Sequence, residues 1–241
     1  MAALSILQWN AQGLTGGHGV ELSQLLLSRR NNPYHLVCIQ ETWFTENRIF
    51  NIPNYSCIPR NRKTGERGGC AFFVHNSVYF KNITSHDTLE LQSITVHLNT
   101  SCVTVVNYYN PCQRLNSDTL DSIFSENLNN NKYLLILGDF NSHSPLWGSS
   151  STDSNGRLIE QYIEDKNIIL LNDGSGTRMD HHTGKISCLD LTLATPLLAN
   201  RCSWTVRQNK LGGDHFPIEI KLCLNTGGLF ERENPTERIM N

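Results

Sequence analysis

Polar residues of the kinds that bind metals and phosphates follow several apolar runs of this sequence. Asn10 comes after LSILQW, Glu41 after HLVCIQ and Tyr109 after CVTVVNY. The run YLLILG leads into Asp139 and then Asn141. An acidic side chain next to a buried strand is costly unless it is paired, hydrogen-bonded or bound to a metal, and open sheets place ligands outside their strand ends. The spacing therefore predicts that these side chains share one cleft.

Three more candidates lie near the C-terminus, where strands begin. Asp190 lies inside the predicted strand CLDLTL, and Asp214 and His215 stand just before FPIEIKL. In a mixed sheet, the start of one strand lies beside the end of its antiparallel neighbour. We therefore expect these residues to join the same cleft.

Taken one at a time, these residues also have structural explanations. Asn10 before AQG is typical of a turn, Glu41 before Thr42 of a cap, and GDFN of a turn after a strand, because Gly, Asp and Asn favour turns. Asp190 alone fits a paired core carboxylate, and His215 a hydrogen-bonded core histidine. Chance accounts poorly for the whole set, with each residue at a strand edge, so we favour a common site.

The residue types suit metal-assisted hydrolysis of a phosphodiester. Mg²⁺ is held in proteins by one or two carboxylates together with phosphate oxygens and waters. Glu41 and Asp214 are the candidate carboxylates, with Asn10 beside them. Mg²⁺ is the predicted cofactor, with Mn²⁺ able to substitute.

The other candidates suit the remaining steps of that reaction. Asp139 with Asn141 would position and deprotonate the attacking water. His215, oriented by Asp190, would bind and neutralise a phosphate oxygen, because a carboxylate partner favours the imidazolium form. Tyr109 would donate a hydrogen bond to the phosphate.

Short apolar runs that alternate with polar turns predict the elements that position this site. Strands are predicted over 4–9, 36–40, 70–75, 94–98, 102–108, 133–137, 168–171, 188–193, 204–208 and 216–222, and helices over 20–29, 117–127 and 155–166. Many strands with few interspersed helices indicate an α/β protein in which sheets pack on each other with helices outside. We expect one domain over residues 1–224 and a linker over 225–241, where the apolar pattern is lost.

Composition narrows the class of protein. The chain has 241 residues, 39% hydrophobic and 17% charged, with a formal net charge of −2. These values exclude a disordered chain, a coiled coil and a protein that coats nucleic acid through overall basic charge. No segment approaches the roughly 18 apolar residues of a membrane-spanning helix, and the N-terminus lacks a basic signal-peptide segment. We expect a protein that is not secreted, has no membrane partner and keeps its eight cysteines reduced.

At these residues the sequence resembles the endonuclease/exonuclease/phosphatase superfamily, whose members are deoxyribonuclease I-like. The motifs run in family order from Leu4 to Leu222 and read LQWNAQGL, CIQETW, VVNYYNP, LILGDFNSHSPLWGS, GTRMDHHTGKISCLDLTL and GGDHFPIEI. Within the superfamily, GDFNSHSPLWGS followed by NGRLIEQYIEDKNIILLN and GTR is similar to the apurinic/apyrimidinic-like endonuclease domain of non-LTR (LINE-type) retrotransposons.

The resemblance implies a fold, an activity and partners. The fold would be a four-layer α/β sandwich of two packed mixed sheets flanked by helices. The activity would be a Mg²⁺-dependent nick in one strand of double-stranded DNA, leaving a 3′-hydroxyl that primes reverse transcription. The partner would be the reverse transcriptase domain of the same polyprotein, and the cut would be made in the nucleus after synthesis in the cytoplasm.

The resemblance also implies residue roles. It assigns the roles already derived to the metal residues Asn10, Glu41 and Asp214, and to Tyr109, Asp139, Asn141, Asp190 and His215. It adds Thr177 and Ser187 as neighbours of the DNA backbone. The family commonly has Ser before the Asp-His pair, where this chain has Gly213.

Two basic segments are candidate DNA contacts. The segment 178–186 corresponds to a hairpin that reads the DNA groove in relatives, and here it offers Arg178, His181, His182 and Lys185. The alternative is an exposed hairpin with ordinary polar residues. The stretch 60–67 offers Arg62 and Lys63 for phosphate contact, or else forms a solvated loop. We expect Trp147, in PLWGS, to pack against the loop after Asp139 and not to stack on bases.

Other functions share these motifs. A phosphatase or phospholipase acting on inositol phosphates or sphingomyelin would use the same core site. An abasic-site repair endonuclease would differ in substrate alone. A binding module that has lost the chemistry would not need the full set of polar residues.

Overall fold

Two β-sheets form the centre of the protein, and helices cover their outer faces. The computed structural model describes residues 3–63, 67–98, 101–128 and 132–223. The predicted linker over 225–241, and the domain end predicted at residue 224, lie outside the described residues. That division of the chain stays a prediction.

Within the described ranges, each of the two sheets has six strands, and a two-stranded hairpin forms a separate small sheet. In chain order the strands are β1 (Ala3–Asn10), β2 (Leu36–Gln40), β3 (Tyr55–Arg60), β4 (Cys70–His75), β5 (Phe80–Ser85), β6 (Glu90–Leu98), β7 (Ser101–Tyr109), β8 (Leu134–Asp139), β9 (Ile169–Leu170), β10 (Arg178–Met179), β11 (Ile186–Ser187), β12 (Asp190–Ala194), β13 (Cys202–Val206) and β14 (Ile218–Cys223). The first sheet has the order β13-β14-β1-β2-β4-β3, and the second β5-β6-β7-β8-β12-β9. Both are mixed, because β1–β2 and β7–β8 pair in parallel and the other pairs are antiparallel.

Helices complete the layers on both sides. They are α1 (Gly17–Ser28), α2 (Ser117–Leu128), α3 (Ser154–Asp165) and α4 (Pro196–Ala199), with a 3₁₀ turn over Pro145–Trp147. Leu22 and Leu26 of α1 pack on the outer face of the first sheet. Ile123 of α2 and Ile159 of α3 pack on the outer face of the second sheet. The prediction of a four-layer, deoxyribonuclease I-like α/β sandwich is confirmed.

Alternation along the strands explains why two sheets stack. Leu4 and Ile6 of β1 enter the core between the sheets, whereas Leu7 and Trp9 face the layer that contains α1. Successive side chains of a strand point to opposite faces of the sheet. Because β1 has apolar residues on both faces, both faces of the sheet must be packed against another layer. Burying each such side chain contributes roughly 1.5–3 kcal/mol.

Buried amides tie the two sheets together near their functional edge. Gln40 Nε2 donates to Asn107 Oδ1 at 2.6 Å, and Asn107 Nδ2 donates to the carbonyls of Ile39 and Ala71 at 3.1 and 3.2 Å. Buried polar groups of this kind need defined partners. The pairing therefore fixes how the end of β2 sits against β7.

Several strand predictions need correction. The edge strands β3 and β5 were not predicted, because β3 contains Pro59 and β5 is largely exposed, so neither has a clear apolar alternation. The strand predicted over 216–222 begins at Ile218, since the amide of Phe216 donates instead to the carbonyl of Thr177 in the hairpin segment. The predicted strand over 204–208 lies two residues earlier, at Cys202–Val206, in register with β14.

The cysteines are free thiols, as expected. All eight lie in the described ranges and none forms a disulfide. Cys38 and Cys70 are buried, whereas Cys102 is exposed. Among the helices that the structure describes, none has the length and apolar character needed to cross a membrane.

Candidate active site

Strand register brings the predicted site residues to one edge of the sandwich. Asn10, at the end of β1, pairs in parallel with Gln40, so Glu41 follows directly beside it. In the second sheet, Asp139 at the end of β8 pairs with Tyr109 on one side and with Asp190 on the other. Strand ends and a strand start therefore meet, as the sequence predicted.

Asn10 connects the two sheets at this edge. Its Nδ2 donates to Glu41 Oε1 at 3.0 Å and to Asp139 Oδ2 at 2.8 Å. Its Oδ1 accepts from the amide of Gln12 at 3.1 Å. The side chain is fully buried, so this amide holds carboxylates from both sheets at fixed positions.

Asp139 and Asp190 are the two most enclosed carboxylates of the cluster, each with 1% of its surface exposed. Oδ1 of Asp139 accepts from the amide of Asn141 at 3.0 Å, and Oδ2 from Asn141 Nδ2 at 3.3 Å. Burial raises the pKa of Asp139 to about 7; the nearby Asp190 carboxylate adds to the rise and His215 opposes it. A carboxylate with this pKa can accept a proton near neutral pH.

The GDFN segment has the backbone that this geometry requires. A Cβ at Gly138 would lie 1.8 Å from the carbonyl oxygen of Tyr108, so only glycine permits the close approach of β7. Asn141 follows with φ +44°, in the left-handed region that Asn tolerates. Its Nδ2 also donates to the carbonyl of Asn110 at 2.7 Å.

His215 forms the opposite side of the cluster. Its Nδ1 donates to Asp190 Oδ2 at 2.7 Å, and its Nε2 lies 3.8 Å from Asp139 Oδ2 and 3.8 Å from Asp214 Oδ1. Burial alone lowers the pKa of His215, but the carboxylates of Asp190, Asp139 and Asp214 outweigh it and raise the pKa to about 9. The imidazole is therefore a cation at neutral pH, directed toward Asp139.

Thr177 supports this histidine through Asp190. Its Oγ1 donates to Asp190 Oδ2 at 2.6 Å and accepts from the amides of Leu189 and Asp190 at 3.0 and 3.1 Å. Thr177 is fully buried. The hydroxyl of Thr177 thus orients Asp190, and the position beside the DNA backbone that the resemblance implies for Thr177 stays a prediction.

Glu41 follows β2 of the first sheet, and Tyr109 ends β7 of the second sheet. Glu41 has φ +52° and is partly exposed. Burial of the Tyr109 phenol, together with the nearby Glu41 carboxylate, raises the pKa of Tyr109. The predicted contact between the Tyr109 hydroxyl and a phosphate stays a prediction.

The donor set fits a divalent cation. Asp139, Asp190 and His215 offer ligand atoms within 4.8 Å of one another, although Asp190 and His215 already bind each other. Within the described residues, Oδ1 of Asp214 is buried without a hydrogen-bond partner, which is costly for a carboxylate oxygen. This orphaned oxygen and the partly exposed Glu41 are the oxygen ligands that a hard cation takes.

The β10–β11 hairpin reaches out from the site. Arg178 Nε donates to Asp214 Oδ2 at 2.8 Å, so its guanidinium contacts the cluster itself. Ser187 is partly exposed opposite Arg178. The candidates at the tip, His181, His182 and Lys185, are exposed.

The basic loop after β3 is partly committed to internal pairs. Arg62 Nε forms an ion pair with Glu90, and its guanidinium carbon lies 5.9 Å from the centre of the Tyr109 ring. Lys63 is exposed and lies 3.6 Å from Asp87. Residues 64–66 of the loop lie outside the described residues.

Two residues near the site were not singled out from the sequence. Trp43 Nε1 donates to Glu41 Oε2 at 3.1 Å, and Asn110 Nδ2 donates to the carbonyl of Phe140 at 3.0 Å. Trp43 lies in the motif CIQETW and Asn110 in VVNYYNP. The motifs therefore contained both residues, but the sequence assigned neither of them a role. Trp147 is fully buried and donates to the carbonyl of Ser142, which confirms it as a packing residue of this loop.

Comparison with known proteins agrees with the fold. Residues 103–219 match the family described as endonuclease-reverse transcriptase. The chain is 27% identical over 220 residues to the RNA-directed DNA polymerase from mobile element jockey of Drosophila melanogaster, which covers 89% of this chain. Both matches agree with the resemblance to the endonuclease/exonuclease/phosphatase superfamily that the sequence motifs carry. It spans 23% of the length of the jockey polymerase.

Solved structures of two nucleases share the fold. The endonuclease domain of TRAS1, a telomere-specific non-LTR retrotransposon, superimposes with a TM-score of 0.75 at 18% identity, covering 92% of this chain and 98% of that domain. The AP endonuclease LMAP from Leishmania major superimposes with a TM-score of 0.71 at 13% identity, covering 91% of this chain and 87% of that one. The chain therefore shares its fold with the endonuclease domain of a non-LTR retrotransposon.

Proposed function

We propose that this chain is a Mg²⁺-dependent DNA endonuclease that nicks one strand of chromosomal DNA for a non-LTR retrotransposon. The nick leaves a 3′-hydroxyl that primes the reverse transcriptase of the same polyprotein, and the reaction takes place in the nucleus. The observation that carries the proposal is the placement of the His215 cation opposite Asp139, with Asn10 joining Asp139 to Glu41.

The chain's own residues supply most of the chemistry. Asp139, with a pKa of about 7, accepts the proton of the water that attacks phosphorus, while Asn141 holds Asp139 in place. The P–O3′ bond breaks, the 3′ oxygen takes a proton from solvent, and the other product is a 5′-phosphate. His215 donates from Nε2 to a phosphate oxygen and neutralises the charge that develops there.

Glu41, Asp214 and Asn10 would hold the metal. When bound, a divalent cation supplies positive charge at the phosphate and at the leaving oxygen. Mn²⁺ is expected to substitute, because it accepts the same oxygen ligands.

A plasmid assay tests the proposal. Supercoiled DNA with protein and Mg²⁺ should relax to the open circle, EDTA should stop the reaction, and a polymerase should extend the nicked ends without further processing. Asp139→Asn and His215→Gln should each lower the nicking rate by roughly 10²–10⁴, the usual contribution of a proton-transfer group. Asp165→Asn, at the exposed end of α3, is the matched control.

The other outcomes distinguish the remaining superfamily activities. Nicking by Asp139→Asn and His215→Gln at the wild-type rate would overturn the residue assignment. Turnover of a soluble phosphoester without DNA cleavage would favour a phosphatase or phospholipase. Tight DNA binding without cleavage would favour a binding module.

The fold shared with an AP endonuclease favours a repair function as the alternative. Comparing the cleavage rates of a duplex with an abasic site and an undamaged duplex tests this alternative. We expect at most a weak preference for the abasic site. A strong preference would replace the retrotransposon assignment with a repair function.

A further inference from the structure

The two oxygens of Glu41 are held by donors on two different elements. Asn10 Nδ2 donates to Oε1 at 3.0 Å, and the indole Nε1 of Trp43 donates to Oε2 at 3.1 Å. Asn10 is a site residue in its own right. The indole is two residues away along the chain and has no proposed part in the chemistry, so its contact with Glu41 calls for an explanation.

The backbone around Glu41 is held in an unusual conformation. Glu41 has φ +52° and Trp43 φ +54°, both in the left-handed region. Such residues persist only where the surroundings over-determine them, and they concentrate at functional sites. Here the amide of Gly13 donates to the carbonyl of Glu41 at 2.7 Å, and the amide of Trp43 donates to the carbonyl of Gly68 at 2.9 Å.

The indole ring is itself fixed between two loops. A Cβ at Gly13 would lie 2.4 Å from Cε3 of Trp43, so the ring lies directly against the glycine backbone. The guanidinium carbon of Arg67 lies 5.0 Å from the centre of the ring, within the range of a cation–π contact. The ring therefore has little freedom to rotate, and its N–H keeps its direction toward Glu41.

We propose that Trp43 is a positioning residue whose indole N–H holds the Glu41 carboxylate in the orientation that binds a divalent cation. Carboxylates that bind metals are themselves hydrogen-bonded, and the loss of such a partner typically costs 10–100-fold in metal affinity or activity. The inference rests on the proposed function for Glu41 as a metal ligand. It extends that function because the CIQETW motif would supply both the metal ligand, Glu41, and the residue that orients it, Trp43.

The test is the affinity for Mn²⁺ in the absence of DNA, measured by electron paramagnetic resonance on the full chain. Trp43→Phe keeps an aromatic ring against Gly13 and removes the N–H. We expect its Kd for Mn²⁺ to rise by roughly 10–100-fold, with kcat for nicking reduced and KM for DNA unchanged. Glu41→Gln should lose Mn²⁺ binding.

Trp204→Phe is the matched control. Trp204 is also partly buried, and its Nε1 donates to Thr192 Oγ1 at 3.0 Å, so the variant loses an indole hydrogen bond in β13. It should bind Mn²⁺ as the wild type does. Wild-type affinity in Trp43→Phe, or in Glu41→Gln, would overturn the inference.

A second measurement uses the wild-type protein and tests the inference even if Trp43→Phe does not fold. The indole N–H resonance of Trp43 in the wild-type protein should shift on titration with Mg²⁺, and that of Trp204 should not. Absence of any shift at Trp43 would overturn the inference. Reduced Mn²⁺ affinity in Trp43→Phe together with a wild type that does not nick DNA would support Trp43 and reject the proposed nuclease.

Discussion

Arg178 and Asp214 form an ion pair that joins the hairpin to the candidate active site. Nε of Arg178 donates to Oδ2 of Asp214 at 2.8 Å, and the Asp214 side chain is almost fully buried. The backbone follows the same path, because the amide of Met179 donates to the carbonyl of Asp214 at 2.8 Å. The hairpin and the Asp214–His215 segment are therefore one structural unit.

Breaking this pair should destabilise the protein. Arg178→Met keeps the length of the side chain but leaves both oxygens of Asp214 without a hydrogen bond. We expect the free energy of unfolding to fall by about 1.5–3 kcal/mol, the usual cost for a hydrogen bond to a charged group. Urea unfolding of Arg178→Met, Asp214→Asn and the double variant measures the coupling, and additive effects would contradict the pair.

Thr177→Val should lower both stability and activity. The substitution keeps the shape of the side chain but removes the donor to Asp190 and the acceptor for two buried amides. We expect a loss of about 1–3 kcal/mol in the free energy of unfolding and slower nicking, because Asp190 no longer holds His215. Thr177→Ser should restore both, and full activity in Thr177→Val would argue against this support.

The nicking rate should depend on pH because one group of the site must be deprotonated and another must be protonated. Asp139 must be ionised, so the rate should rise with pH up to about 7, and His215 must be protonated, so the rate should fall above about 9. The pair titrates as a unit, so the two limbs belong to the cluster as a whole. Asp190→Asn removes the carboxylate that raises the pKa of His215 most and should move the alkaline limb to lower pH.

The raised pKa of His215 also predicts that the stability of the protein depends on pH. The pKa of His215 in the folded protein, about 9, lies above its ordinary value of 6.5. Its contribution to stability is therefore fully present below pH 6.5 and is lost as the pH rises through 9. Urea unfolding of wild type and His215→Gln across this window measures it, and parallel curves would contradict the assignment.

The exposed hairpin tip should contribute to DNA affinity through charge. Lys185→Ala should weaken DNA binding and reduce the slope of log K against log salt by about 1, as expected for one lost phosphate contact. Lys221→Ala, on β14, is the control. An unchanged slope in Lys185→Ala would leave the tip as an ordinary exposed turn.

The sequence by itself determined the central strands and which polar residues are candidates for the site. The strands Leu36–Gln40 and Cys70–His75 have the predicted bounds, because a buried apolar run bounded by polar residues is a local signal. The polar residues at the strand ends were also recognisable, because a charge at that position needs a partner. The edge strands β3 and β5 lack a clear apolar periodicity of their own. They were not predicted because pairing with β4 and β6 holds them in place.

Tertiary structure alone decided which polar groups bind each other. Asn10 and Asp139 are 129 positions apart, and Arg178 and Asp214 are 36 apart. The commitment of Thr177 to Asp190, and of Trp43 to Glu41, likewise depends on where loops from separate strands converge. Periodicity reports whether a side chain faces the core, but a hydrogen bond requires two atoms to meet within about 3 Å, and only the packing of the two sheets sets those distances.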